Sequence, residues 1–312
     1  MSLEERFLAP KDWAWGQVVP RDGQYLRYGW AAPQNPKALV FVFPGLSEYI
    51  EKYFEVARDL MTRGFAVAIV DWRGHGGSWR HTSNPDLRHH DSFDLDVEDA
   101  FALIDTMSAN SALAKLPKIL LAHSMGAHIG LRVLHDRPNL FDCAVMNAPL
   151  QGIVMPLDGT FAQWLLAKFL NAIIGLKSTG GPWSEEKFIA NLDILTSDPV
   201  RRAAKIQTMR DYPKLRSGSV SYGWVYAAID SIRRTNRPAY LKSITTPILI
   251  TLAGIEKVVS NAATRRLTAH LPKVEIVEIS GALHEVLMER DQFRDQFWHA
   301  FDGFVAKHLK AL

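Results

Sequence analysis

Short, almost wholly apolar runs constrain this chain more than any other feature. Ala38-Leu-Val-Phe-Val-Phe43 lies between Pro36 and the Pro44-Gly45 pair. Phe65-Ala-Val-Ala-Ile-Val70, Lys118-Ile-Leu-Leu-Ala122 and Asp142-Cys-Ala-Val-Met-Asn147 follow. Each has strand length and turn residues nearby. A strand with one wet face alternates apolar and polar residues, and these do not. They predict strands buried on both faces, as in a parallel sheet covered by helices. Residues 48–63, 93–108 and 125–135 carry apolar residues at helical spacing between the runs. Gly64 fits a helix stop, and Asp91 or Ser92 an N-cap. Strand and helix in turn imply the α/β class, with a mostly parallel central sheet and helices on both faces. The rhythm resumes with a strand over 246–253, a helix over 259–270, a strand over 274–279 and a closing amphipathic helix from Arg290 to Leu309.

Residues 151–240 interrupt it. No strand–helix–strand unit is visible there, and Phe161 to Leu176 is apolar at helical spacing apart from Gln163, Lys168 and Asn171. We expect a core of residues 1–150 and 241–312, with a helical cap inserted over 151–240. The apolar segment then either lines a pocket, docks on the core or touches a bilayer.

Composition excludes several classes. Of 312 residues, 47% are hydrophobic and 22% charged, which excludes a disordered chain. The single cysteine, Cys143, excludes an internal disulfide and any cysteine-rich metal centre. The opening Met-Ser-Leu-Glu-Glu-Arg is charged where a signal peptide needs an apolar stretch, and no run is long enough to span a bilayer. The expected location is cytoplasmic. A net charge of +3 is too small to suggest a nucleic-acid partner. The positive charge is nonetheless local, because residues 201–237 hold nine Lys/Arg against two acids. That asymmetry suits either solvated helix faces or peripheral contact with an anionic inner-membrane surface.

Ala122-His-Ser-Met-Gly126 sits where a buried strand meets a helix. It matches the G-x-S-x-G nucleophile elbow with Ala in place of the first Gly. The turn is tight, so only small residues fit two before and two after the serine. It would expose Ser124 at the carboxyl end of the sheet, where open α/β sheets bind ligands. The bland reading is a serine that caps a helix.

A serine nucleophile needs a base, and the base needs an acid to hold its tautomer. On elbows of this kind the chain order is Ser, acid, His. His284 directly follows the strand 274–279. His270, at a helix end, and His299 and His308, in the last helix, are poorer placed. Glu256 is the only carboxylate in the loop after 246–253. Asp142 is the alternative acid, at the wrong end of its strand. The oxyanion formed by attack on an ester needs two N–H donors. Met125 would supply one, and Leu46, after Gly45, the other; Pro44 has no N–H to give.

Other clusters point less clearly. His81, His89, His90 and Asp91 are spaced too closely to expect convergence on one ion, so no metal site and no cofactor are expected. His123, His128 and His135 read as packing or surface residues. Gly74-His-Gly-Gly77 lacks the spacing of a dinucleotide fingerprint.

Together, Pro44-Gly-Leu-Ser-Glu-Tyr-Ile-Glu-Lys-Tyr-Phe54, Asp71-Trp-Arg-Gly-His-Gly-Gly-Ser78, Ala122–Gly126, Tyr222-Gly-Trp224 and Ala282-Leu-His-Glu285 resemble bacterial lysophospholipases of the L2 type. These are relatives of monoacylglycerol lipases within the α/β-hydrolase superfamily. The likeness covers roughly residues 15–308. It implies an α/β-hydrolase fold and a serine carboxylic-ester hydrolase acting on single-chain lipids. It also implies Ser124 as nucleophile, His284 as base and Glu256 as acid. Relatives often carry Asp at the acid position, and His where this chain has Pro44. Asp71 and Arg73 would brace the oxyanion loop, and His75 is a candidate for the pocket wall. The expected partner is a small lipid or ester substrate. An esterase for small soluble esters, a carbon–carbon bond hydrolase and a non-catalytic binding protein stay open as alternatives. Oligomeric state is not legible.

Overall fold

A computed structural model describes residues 3–153 and 160–309. The chain first forms two strands, β1 (Ala14–Val18) and β2 (Leu26–Ala31), and then β3 (Leu39–Phe43). Helix α1 (Phe54–Thr62), β4 (Ala66–Val70), α2 (Asp94–Ser108), β5 (Lys118–His123), α3 (Met125–Asp136) and β6 (Cys143–Asn147) continue the alternation. Five helices follow without a described strand between them. They are α4 (Thr160–Ile174), α5 (Glu185–Leu195), α6 (Pro199–Asp211), α7 (Tyr222–Thr235) and α8 (Pro238–Lys242). The chain closes with β7 (Ile248–Ala253), α9 (Asn261–Thr268), β8 (Val274–Ile279) and α10 (Asp291–His308).

The eight strands form one sheet in the order β1-β2-β4-β3-β5-β6-β7-β8. β3 to β8 are parallel, while β1 and β2 add antiparallel at one edge. This is the α/β-hydrolase architecture expected from the apolar runs. The reason those runs do not alternate is visible in the two cores. Leu39, Phe41, Leu120 and Met146 pack on the α2–α3 side. Val40, Val42, Leu121 and Val145 pack on the α1–α10 side. Each buried Val, Leu or Ile contributes roughly 1.5–3 kcal/mol.

Three local departures have physical causes. β1 and β2 were not expected, because an edge hairpin of exposed and half-buried Trp, Gly, Gln and Arg lacks an apolar run. Residues 50–53 form a 3-10 turn and not the first turn of α1. There the Ile50 N–H donates to Asp71 Oδ1 at 2.9 Å. Finally, α2 starts at Asp94 and is preceded by Ser92, whose hydroxyl accepts the Asp94 N–H at 3.1 Å. Gly64 does end its helix, in the left-handed region at φ 85°.

Candidate active site

The turn after β5 is strained where the sequence is most restricted. Ser124 sits at φ 50° and ψ −113°, a conformation that costs of order 1–3 kcal/mol for a residue with a Cβ. It is held by the Ser124 N–H donating to Asn147 O at 3.0 Å, and by its carbonyl accepting from Leu150 N at 3.1 Å. A Cβ on Gly126 would lie 2.2 Å from Phe43 O and 2.4 Å from Pro44 O, so glycine is obligatory there. Ala122 is buried, and its methyl fits where the common motif has Gly. Met125 is the first residue of α3, so its N–H has no acceptor within the helix.

His284 Nε2 lies 3.1 Å from Ser124 Oγ, and His284 Nδ1 lies 2.8 Å from Glu256 Oε2. All three side chains are nearly buried. The second Glu256 oxygen accepts the N–H groups of Val258 at 2.7 Å and Val259 at 3.2 Å. Burial works to raise the Glu256 pKa, but the bonds from His284 and those two N–H groups outweigh it, so the group is held below the ordinary Glu range. Two loops meet to make this contact: Ile255 N donates to Ala282 O at 2.9 Å and Gly254 N to Ile279 O at 3.0 Å. A Cβ on Gly254 would lie 2.8 Å from Gly281 N, which accounts for glycine at the start of the acid loop. Asp142 is elsewhere, accepting the Lys118 N–H at 2.9 Å at the other end of β5.

The turn after β3 is built around a carboxylate that sequence reasoning missed. Glu48 accepts the N–H of Gly45 and the Lys52 ammonium, and the Tyr53 hydroxyl at 2.5 Å. With the Gly45 N–H so engaged, Leu46 is the next N–H on the turn, and Leu46 lines the same cavity as Ser124. Lys52 also reaches Glu285 at 2.9 Å, and Lys205 of α6 reaches Glu285 at 2.8 Å. These four buried charges neutralise one another directly behind His284. Burial is the largest influence on each. It pushes the Lys205 pKa down to about 8, while the two lysines together pull Glu285 well below the carboxylate range. Glu48, Lys52 and Glu285 all stand inside the segments quoted above, but nothing local marks them as mutual partners.

The brace of the turn after β3 differs from the expected one. Trp72 Nε1 donates to Pro44 O at 2.8 Å. Asp71 holds Ile50 N and, at 2.7 Å, Gly77 N. Arg73 turns away to Asp99 and Asp22. His75 is buried, with Nδ1 2.9 Å from Arg73 O, and is not part of the cavity wall.

The cavity over Ser124 has a volume of about 390 Å³. Leu46, Leu150 and Val258 line it from the core, and Ile153, Phe188 and Leu192 from the inserted region. The apolar segment of α4 does not. It packs along α7 and leaves Phe161, Leu165, Phe169 and Ile173 on the surface, Phe161 being 66% and Ile173 63% exposed. No helix among the described residues is long and apolar enough to cross a membrane.

His270, His299 and His308 do not line the cavity either. His123 does, with Nδ1 3.2 Å from Asn147 O. Burial pushes its pKa down to about 4, and that of His128, bonded to Ser231 Oγ at 2.8 Å, to about 3. Contrary to expectation, His81, His89 and Asp91 do converge, with one ligand atom each within 4.8 Å of the others. His90 faces Asp96 at 2.8 Å instead. The basic stretch 201–237 is mostly neutralised. Arg201, Arg202, Lys205, Arg210, Arg233 and Arg234 all have carboxylate partners.

A strained serine at the carboxyl end of a doubly covered sheet, with an imidazole and a carboxylate in line behind it, defines the class: this is a serine hydrolase of the α/β-hydrolase fold. A family model described as serine aminopeptidase, S33, matches residues 34–291. The chain is 31% identical over 288 residues to lysophospholipase L2 of Escherichia coli K12, covering 88% of this chain and 82% of that one. It is 28% identical over 298 residues to the monoglyceride lipase of Homo sapiens, covering 93% and 89%. A soluble variant of monoglyceride lipase from Saccharomyces cerevisiae superposes with a TM-score of 0.73 at 17% identity, over 97% of this chain and 100% of that one. The chain belongs to this S33 family of α/β hydrolases, alongside the proteins named lysophospholipase L2 and monoglyceride lipase.

Proposed function

We propose that the chain hydrolyses carboxylic esters of single-chain lipids, lysophospholipids or monoacylglycerols, through Ser124, His284 and Glu256. The observation that carries this reading is the 3.1 Å and 2.8 Å pair of contacts on either side of the His284 ring, set at the floor of a largely apolar cavity. Ser124 Oγ attacks the ester carbonyl as His284 Nε2 takes its proton. Glu256 holds the His284 tautomer and offsets the imidazolium charge. The Leu46 and Met125 N–H groups receive the oxyanion. The tetrahedral adduct collapses, the bond to the glycerol oxygen breaks, and His284 passes its proton to that oxygen. Water, deprotonated by His284, then attacks the acyl-Ser124 ester and releases the fatty acid. Each step uses side chains, backbone N–H groups and water.

Residues 151–240 act as the cap in this reading. Their contribution of Phe188, Leu192 and Lys205 to the cavity wall supports it. The exposed stripe of α4 supports contact of the cap with a lipid surface, from which a single-chain substrate is drawn. Because six of the nine basic residues of 201–237 are ion-paired, apolar burial more than charge carries that contact.

Turnover of a matched panel tests the substrate class. Lysophospholipids, monoacylglycerols and short p-nitrophenyl esters are assayed side by side. Long-chain single-acyl lipids should give the higher kcat/KM. Turnover of the short esters alone would remove the lipid assignment.

A further inference from the structure

We propose that Arg88 binds a phosphate group on the substrate's head, which makes phosphate-bearing single-chain lipids the preferred class for this cavity. The inference rests on the ester-hydrolase reading above and narrows it.

Arg88 lines the same cavity as Ser124 and is 7% exposed. Its Nε and Nη1 atoms are buried and have no hydrogen-bond partner among the described residues. Among the described residues no carboxylate is paired with it. Glu48 and Glu285 are the two acidic residues of the cavity wall, and Lys52 and Lys205 hold them. Arg88 and Lys187 are further cations of that wall. Burial, with the nearby Arg80 cation added, pushes the Arg88 pKa down to about 9, so the side chain still carries its charge at neutral pH. An uncompensated buried cation is costly, and structures rarely keep one without a use.

The position of Arg88 comes from its backbone, and its guanidinium Nε and Nη1 have no partner among the described residues. Arg88 bridges to Val220, and its carbonyl accepts the Ser221 N–H at 2.9 Å. The same wall holds Tyr49, Trp183 and Trp224, each with a buried donor that has no partner among the described residues. A planar guanidinium fork matches the oxygens of a phosphate. A lysophospholipid carries its phosphate on the glycerol side of the scissile ester. A monoacylglycerol offers only hydroxyls there, and these leave the cation uncompensated.

Binding to non-hydrolysable ligands separates this inference from the catalytic reading. In a Ser124→Ala background, calorimetry compares a single-chain ether phospholipid, the matching alkylglycerol and inorganic phosphate. Adding Arg88→Gln should weaken the ether phospholipid by about tenfold or more and change the alkylglycerol by no more than about twofold. Arg88→Lys should recover part of the loss. Arg88-dependent binding of inorganic phosphate as well would identify phosphate itself as sufficient, while binding of the lipid alone would require the whole head. Thermal unfolding of the ligand-free Arg88→Gln protein should be unchanged or shifted upward, because a buried unpaired charge has been removed. Equal weakening for phospholipid and alkylglycerol, no weakening for either, or a lowered Tm with loss of both would overturn the proposal. Turnover by the wild type is measured separately: failure to cleave either ester would remove the hydrolase reading and leave the binding result standing.

Discussion

Lys205 Nζ lies 2.8 Å from Glu285 Oε2, so the residue beside His284 is tied to a helix of the inserted region. Through Lys52 and Glu48 the same chain of charges reaches Gly45, on the turn that would hold the oxyanion. The His284 loop and the turn after β3 thus share one buried support. Breaking such a pair from one side leaves a buried charge behind. Lys205→Met should therefore lower stability by about 3 kcal/mol. The Lys205→Met, Glu285→Gln double variant should lose less than the sum of the two single variants. Urea unfolding of all four proteins checks this, and strict additivity would mean that the pair is not coupled.

Glu256 should matter for rate far more than for binding. Glu256→Gln keeps the shape and removes the charge that, in the proposed triad, fixes the His284 tautomer. By analogy with serine triads, kcat should fall by on the order of 10³–10⁴-fold with KM little changed. Steady-state kinetics on a lysophospholipid measures it, and a loss of under tenfold would assign Glu256 a minor part.

Much of this was legible from local pattern. Val40, Leu121 and Val145 lie in runs that only a doubly covered strand explains, and Ala122–Gly126 is a short-range steric code. His284 and Glu256 were reached from their positions after late strands. The buried network was not legible, because Lys205 and Glu285 are 80 residues apart and each alone reads as a surface charge. Arg88 was missed for the same reason. β1 and β2 were missed because edge strands such as Ala14–Val18 lack an apolar run. The fate of the α4 stripe was open in the sequence, since one apolar face suits a cavity or a surface equally.

Acid should destabilise the fold through two buried histidines. Burial holds the His123 pKa near 4 and the His128 pKa near 3, both below the unfolded value of about 6.5. The unfolded chain therefore binds more protons between those limits. Stability from each group is complete above pH ~6.5 and is lost as pH falls toward its folded value. Each histidine should remove about 2 kcal/mol between pH 7 and pH 5. Urea unfolding across that range tests the sign, and His128→Gln should flatten the slope.

Contact with lipid surfaces should depend on the α4 stripe more than on salt. Phe169→Ser with Ile173→Ser removes two of its exposed side chains. Sedimentation with neutral vesicles should show a clear loss of binding for this variant. Raising the salt should change wild-type binding little. A strong salt effect with no effect of the α4 substitutions would move the contact to the basic residues.

The central claim is that Ser124 is the nucleophile activated by His284, and covalent labelling tests it most directly. Wild type, Ser124→Ala and His284→Ala are treated with a fluorophosphonate and weighed intact. The wild type should gain one adduct, Ser124→Ala none, and His284→Ala should label far more slowly. Labelling of Ser124→Ala at the wild-type rate would contradict the account.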